Sequence, residues 1–308
     1  MKKYALLFLP LFLFAKQPIT PIPIEVDVDM PKAKLGQELF FDTILSSDNT
    51  VSCFSCHNVY EGGADPRVVS IGVKGRKGNI QSPTVLNARY NFRQFWNGRA
   101  ADLKEQATGP LNNPAEHNMN PQKIEKKLNN SPYKQKFHKV FHTNKVKYEN
   151  VLDAIVEFEK ALTTPNAKFD KFLRGEYQLS KNEEQGYILF KQYGCITCHN
   201  GVNLGGNSYQ KMGIFMEYKN KQTYPDRSQI TKKPFDINVF KVPTLRNIVK
   251  TAPYFHDGSA KSLKDALQTM AKYNLGIEFQ EQEIKDLVEF FKTLSGERPK
   301  ILDSANDN

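Results

Sequence analysis

The chain has 308 residues, 39% of them hydrophobic, with 43 basic against 33 acidic side chains and a formal charge of +10. That length can bury one large core or two ordinary ones, and two domains are the better reading. Beyond the first 15 residues no uncharged apolar run is long enough to cross a bilayer, which excludes a fold of membrane-spanning helices.

The first element is MKKYALLFLPLFLFAKQ: two lysines, an apolar run of about a dozen residues, and Ala15 where a small residue precedes cleavage. This predicts a secretory signal at 1–15, too short to remain as a stable anchor. Without Lys2 and Lys3 the mature chain keeps 41 basic against 33 acidic residues, a charge of +8. Export argues against nucleic acid as a partner. A diffuse basic surface suits the steering of an acidic protein partner, and equally suits plain solubility.

All four cysteines fall in two like frames, CFSCH at 53–57 and CITCH at 195–199, and none is left over for a disulfide. C-x-x-C-H is the attachment frame of c-type haem. Two thiols one helical turn apart add to the two vinyl groups, and the adjacent histidine supplies an axial nitrogen to the iron. Zinc pairs usually lie within about 20 residues of one another, whereas these stand far apart, and a thioredoxin-like motif does not explain the histidine that follows both times. The frames predict two covalent haems, held by Cys53, Cys56 and His57 and by Cys195, Cys198 and His199.

The repetition extends beyond the frames. Gly36, Leu39 and Phe40 precede the first as Gly186, Leu189 and Phe190 precede the second, and Pro83, Thr84 and Asn87 return as Pro243, Thr244 and Asn247. FWNGRAADLKEQATGP at 95–110 matches FHDGSAKSLKDALQTM at 255–270. Order is preserved throughout, so the chain is an internal duplication of two domains, 16–165 and 166–308, joined after a long helix. ENVLDAIVEFEKALTT, SKNEEQGYILFKQYG and QEQEIKDLVEFFKTL carry helical apolar spacing, the second opening on a Ser180/Glu183 capping box. No run shows sustained strand alternation. The fold class is mainly α.

One difference between the copies bears on chemistry. Met270 in the second stands where the first has Pro110, which has no ligating side chain. A methionine on the sixth position of a haem iron raises its potential and closes it to substrates; an empty position admits peroxide. A methionine on an apolar helix stripe is more often core, and Met212 and Met216 also follow the second frame, so all three remain candidates. An open haem needs an acid/base group to move a proton during peroxide cleavage, and NNPAEHNMN offers Glu116 and His117. Trp96, the single tryptophan, is either filler at a domain interface or an electron path between haems. GVKGRKGN at 72–79 reads as a flexible loop, and His138 with His142 as surface residues of a helix.

The two frames together with QSPTVLNARYNFRQFWNGRAADLKEQATGPLNNPAE, LFKQYGCITCHNG and FKVPTLRNIVKTAPYFHDGSAKSLKDALQTM resemble the bacterial dihaem cytochrome c peroxidases, from about residue 30 to 295. The resemblance implies two cytochrome c-like haem domains. The N-terminal haem would reduce hydrogen peroxide and the C-terminal His/Met haem would receive electrons from a small periplasmic cytochrome or cupredoxin. It implies His57 as proximal ligand of the first haem, His199 and Met270 as axial ligands of the second, Glu116 as catalytic residue with Gln106 as its companion, and Trp96 between the haems. It further implies a periplasmic homodimer with a calcium ion at the domain interface, bound in part by Gln81, Thr251 and Pro253.

Three positions depart from that pattern. Val73 stands where many members carry a histidine that caps the first iron in the oxidised state, so the first haem is expected to be open unless His117 caps it. His117 itself replaces the usual methionine after the glutamate. Gln81 replaces an asparagine, putting its carbonyl on a longer arm toward calcium. A dihaem electron carrier without peroxidase chemistry is the alternative. The related enzymes that oxidise protein side chains have tyrosine where Met270 stands.

Overall fold

The computed structural model describes residues 18–220 and 222–306, with side chains to residue 303; the signal segment predicted at 1–15 lies outside the described residues. The first half supplies α1 (Met30–Phe41), α2 (Leu103–Asn112), α3 (Pro121–Asn129), α4 (Tyr133–Phe141) and α5 (Tyr148–Ala161). The second supplies α6 (Lys168–Leu173), α7 (Lys181–Gln192), α8 (Ser228–Thr231), α9 (Leu263–Met270) and α10 (Glu281–Lys292). Among the described residues the sheet content is one antiparallel pair, β1 (Tyr209–Lys211) with β2 (Val239–Lys241), in register Tyr209 to Lys241.

The duplication is visible in the packing. α1 crosses α5 at Gly36, where an added Cβ would lie 1.9 Å from the Ala154 carbonyl oxygen; α7 crosses α10 at Gly186, where it would lie 2.0 Å from that of Asp286. Only glycine lets the helices approach so closely. The crossings also bring equivalent rings together, Phe40 edge-on to Phe158 at 5.0 Å and Phe190 tilted against Phe290 at 5.2 Å. The predicted capping box closes α7: Ser180 N–H donates to Glu183 Oε2 at 2.8 Å, and Glu183 N–H returns a bond to Ser180 Oγ at 3.4 Å.

The halves meet where their copies converge. The Asn87 and Asn247 side chains both donate to Thr164 Oγ1, at 2.7 and 3.0 Å, just after α5. Gly296 passes so near that its Cβ would lie 2.0 Å from the Thr164 carbonyl. Each described end of the chain also packs on the opposite half. Ile19 joins the core around Phe190, Leu287 and Phe290, while Ile301 and Leu302 join the core around Phe40 and Phe158. A fully buried Asp170–Arg246 ion pair at 2.6 Å fastens the N-terminal crossing: Asp170 accepts from Ile22 N–H and Arg246 donates to the Thr20 carbonyl.

Candidate functional site

In the first half, Cys53–Ser55 forms a single 3-10 turn whose start is fixed by Ser52 N–H donating to Ser55 Oγ at 3.0 Å. The turn places both thiols and His57 on the wall of a partly open cavity. α2 brings Gln106 and Pro110 to the same cavity, and the loop after it brings Glu116 and His117. Gln106, Glu116 and the first frame are thus assembled from segments some fifty to sixty residues apart in sequence.

The donor set fits a c-type haem. Cys53 and Cys56 are free, and burial pushes the Cys53 thiol up to about 12, which is the opposite of a redox-active thiolate. His57 Nδ1 lies 3.0 Å from the Gly63 carbonyl oxygen, so it carries the proton and leaves Nε2 as the ligating nitrogen. His199 repeats this with Nδ1 3.2 Å from the Leu204 carbonyl. Burial lowers the basicity of both rings, His199 to about 4, which keeps them in the neutral form that iron requires.

Glu116 is held by short local bonds. Asn113 Nδ2 donates to Glu116 Oε1 at 2.6 Å, and Asn113 Oδ1 accepts from Ala115 N–H at 2.9 Å. Burial raises the Glu116 carboxyl above its ordinary value, partly opposed by the Asn113 hydrogen bond and by the Arg99 charge. The role of Asn113 was not apparent from the sequence, although it lies in the same loop motif.

The segment 72–79, read from sequence as a flexible loop, falls largely within a small hairpin at 70–78 that is clasped to the Glu116 loop. Val73 N–H donates to the Glu116 carbonyl at 2.9 Å, Arg76 donates to the Pro114 carbonyl at 2.9 Å, and Lys74 N–H donates to Asp48 at 3.0 Å. Ile71 and Gly72 line the cavity, whereas the fully buried Val73 is not part of its lining. His117 does line it, with Nδ1 3.1 Å from the Leu45 carbonyl. A Cβ on Gly72 would lie 2.1 Å from the Ala115 carbonyl oxygen. We expect Gly72→Ala to push the two loops apart by about 1 Å and cost about 100-fold in turnover with both haems still attached, since misplacement on that scale has this effect. Steady-state kinetics beside a haem stain checks it; unchanged kcat would show that the clasp does not position Glu116.

In the second half, Met270 ends α9 and is followed by a π-helical turn, Ala271–Leu275, a distortion frequent at functional sites. Met270 packs in a cluster with Met212, Tyr218, Tyr224, Phe240 and Trp96. Met212 is buried there, whereas Met216 is 45% exposed. Trp96 is half-buried between the halves: its Nε1 donates to the Gln81 carbonyl at 2.8 Å, and its ring meets those of Phe240 and His256 at 6.4 and 6.2 Å. Gln81 N–H donates to the His256 carbonyl at 2.9 Å, and its side-chain amide donates to the Asp65 carbonyl at 3.3 Å. His138 is exposed and occupied locally, with Nδ1 3.1 Å from the Thr143 carbonyl. Sequence reasoning also missed Glu159, a carboxylate on the first cavity wall.

Two duplicated helical halves, each presenting a C-x-x-C-H frame with its histidine neutral and oriented, define a dihaem c-type cytochrome. The comparisons make the class specific. Residues 30–178 match the family model for di-haem cytochrome c peroxidase and residues 183–295 the model for cytochrome c. The chain is 47% identical to cytochrome c551 peroxidase of Nitrosomonas europaea, over 92% of this chain and 86% of that one. It is 39% identical to cytochrome c551 peroxidase of Pseudomonas aeruginosa, over 91% and 85%. A crystal structure of a MauG-like protein associated with microbial copper homeostasis superimposes with a TM-score of 0.79 at 26% identity, covering 91% of this chain and 93% of that one. The chain belongs to the bacterial dihaem cytochrome c peroxidase family, and haem is its cofactor.

Proposed function

We propose that the mature chain is a periplasmic peroxidase carrying two covalent haems, which takes two electrons and two protons to convert one hydrogen peroxide to two waters. The observation that carries this reading is that Glu116 and Gln106 line the same cavity as Cys53, Cys56 and His57, while the second copy ends in Met270 at the position of Pro110. Haem held by His57 would supply the iron at which peroxide is reduced. Asn113 occupies Glu116 Oε1, which leaves Oε2 to move a proton between the two peroxide oxygens, and the Gln106 amide orients the substrate. His199 and Met270 would hold the relay haem, with Trp96 on the path between the two.

The donor is a small reduced cytochrome c or cupredoxin. Support comes from exposed Ile214, Phe215 and Met216, at 58, 66 and 45%. Phe215 N–H bonds the Tyr273 carbonyl, which ties this apolar patch to the turn after Met270. Export rests on the 1–15 segment; no helix among the described residues is long and apolar enough to cross a membrane. Calcium would bind the Gln81 side-chain oxygen and the Thr251 and Pro253 carbonyls, an all-neutral oxygen set that predicts weak binding. Sedimentation velocity before and after dialysis against a chelator tests the ion and the proposed homodimer together: dissociation on chelation is expected, and a chelator-indifferent monomer would sink both.

We read the first haem as open when oxidised, because Val73 carries no ligating atom; His117, which lines the cavity with Nδ1 on the Leu45 carbonyl and Nε2 left free, is the competing cap. An electron paramagnetic resonance spectrum of the oxidised protein tests this. A high-spin signal beside a low-spin one is expected, with peroxide consumed without prior reduction of the relay haem. Two low-spin signals would instead mean that a residue such as His117 caps the iron.

A further inference from the structure

The buried face of α5 is Tyr148, Val151, Leu152, Ala154, Ile155, Phe158 and, breaking the apolar run, Glu159. Glu159 is 7% exposed and lines the first cavity beside Cys53 and Phe40. Among the described residues its carboxylate has no hydrogen bond and no ion pair, and burial alone pushes it up to about 8. A carboxylate in the last turn of a helix also faces an unfavourable dipole, so neither local structure nor packing accounts for it. The duplication supplies the comparison. The crossings at Gly36 with Ala154 and Gly186 with Asp286 are equivalent, and Phe158 and Phe290 occupy the same place in them, which puts Phe291 at the position of Glu159. The relay half fills this site with a ring that packs on Phe190.

We infer that Glu159 is a positioning residue that sets the reduction potential of the first haem, its negative charge favouring the oxidised iron and so separating the potentials of the two halves. This rests on the reading of the first frame as a haem site. The groups that share the cavity are Cys53, Cys56 and His57 on the attachment turn and Glu116 and His117 on the loop after α2, with the Asp65–Arg67 pair next to Cys56; α1 contributes Phe40 and no charge. None of these is paired with Glu159. An electron arriving at the first haem therefore favours proton uptake at Glu159, and lower pH raises the potential.

The test is a spectroscopic redox titration of the holoprotein at pH 6 and pH 9, on wild type, Glu159→Gln, Glu159→Phe and Glu159→Asp. Glu159→Gln and Glu159→Phe are expected to shift the first haem toward reduction by about tenfold in equilibrium constant at pH 9, about 59 mV for one electron, and by less at pH 6. Glu159→Asp should retain the low value, and the second haem should not move. Because Glu116 and His117 also titrate, the pH effect is read as the difference between wild type and Glu159→Gln. A first haem that is attached but whose equilibrium changes less than twofold in both neutral variants overturns the inference alone. A wild-type protein with no haem on Cys53 and Cys56 by mass would overturn the site reading as well.

Discussion

Glu116→Gln will reduce peroxide turnover by about 100- to 10,000-fold, the usual worth of a positioned acid/base group, while both haems stay attached. The amide keeps the size of the side chain and can still meet Asn113 Nδ2 through its carbonyl oxygen, so the loop from Asn113 to Asn118 should hold its shape. What is lost is the ability to accept a proton from one peroxide oxygen and return it to the other. Because burial raises the Glu116 carboxyl, the acidic limb of the wild-type pH profile should lie above the ordinary glutamate range: protonation removes the base as pH falls through that raised value. The variant should lose this limb. Stopped-flow kinetics across pH measures both effects, and near-normal turnover in Glu116→Gln would remove Glu116 from the mechanism.

Met270→Ala will convert the second haem from a closed relay to an open iron. Methionine ligation raises a haem potential, so its removal lowers the affinity of this haem for the donor's electron, with each 59 mV lost amounting to about tenfold in equilibrium. The expected signature is loss of a low-spin signal and slow reduction by cytochrome c, with the peroxide reaction of the first haem intact when electrons come from a small chemical reductant. Met212 is the control, because it is buried in the same cluster. If Met212→Ala, rather than Met270→Ala, gives the high-spin signal, the ligand has been misassigned. The split between protein and chemical donors separates ligation from packing damage, which would slow both.

Much of the fold was legible because its signals are local. The C-x-x-C-H frames, the repeated glycines and the Ser180/Glu183 box depend on residues within one or two turns of each other, and the structure repeats them at matching positions in both halves. The helix foreseen over 149–164 ends at Ala161, since Leu162 leaves helical geometry and the chain turns toward Thr164, where both asparagine copies bond. The hairpin at 70–78 was misread because glycine and lysine content describes a chain without its partner. Gly72 serves contact with Ala115, more than forty residues away. Glu159 had a visible signal, an acid in the apolar stripe Val151, Ile155, Phe158 and Leu162, but a helical pattern does not say which core the stripe faces.

The sequence by itself determined the two C-x-x-C-H frames, the duplication, the helical class and the asymmetry between Pro110 and Met270, because motif spacing and helical period are written in short stretches of chain. Only the tertiary structure decided that Gln106, Glu116, His117 and Glu159 share one cavity with the first frame, that Val73 lies outside its lining, and that Ile19 and Leu302 each pack on the opposite half. These are contacts across tens to hundreds of residues. They follow from how closely two helices can cross at Gly36 and Gly186, a condition of packing that no local spacing encodes.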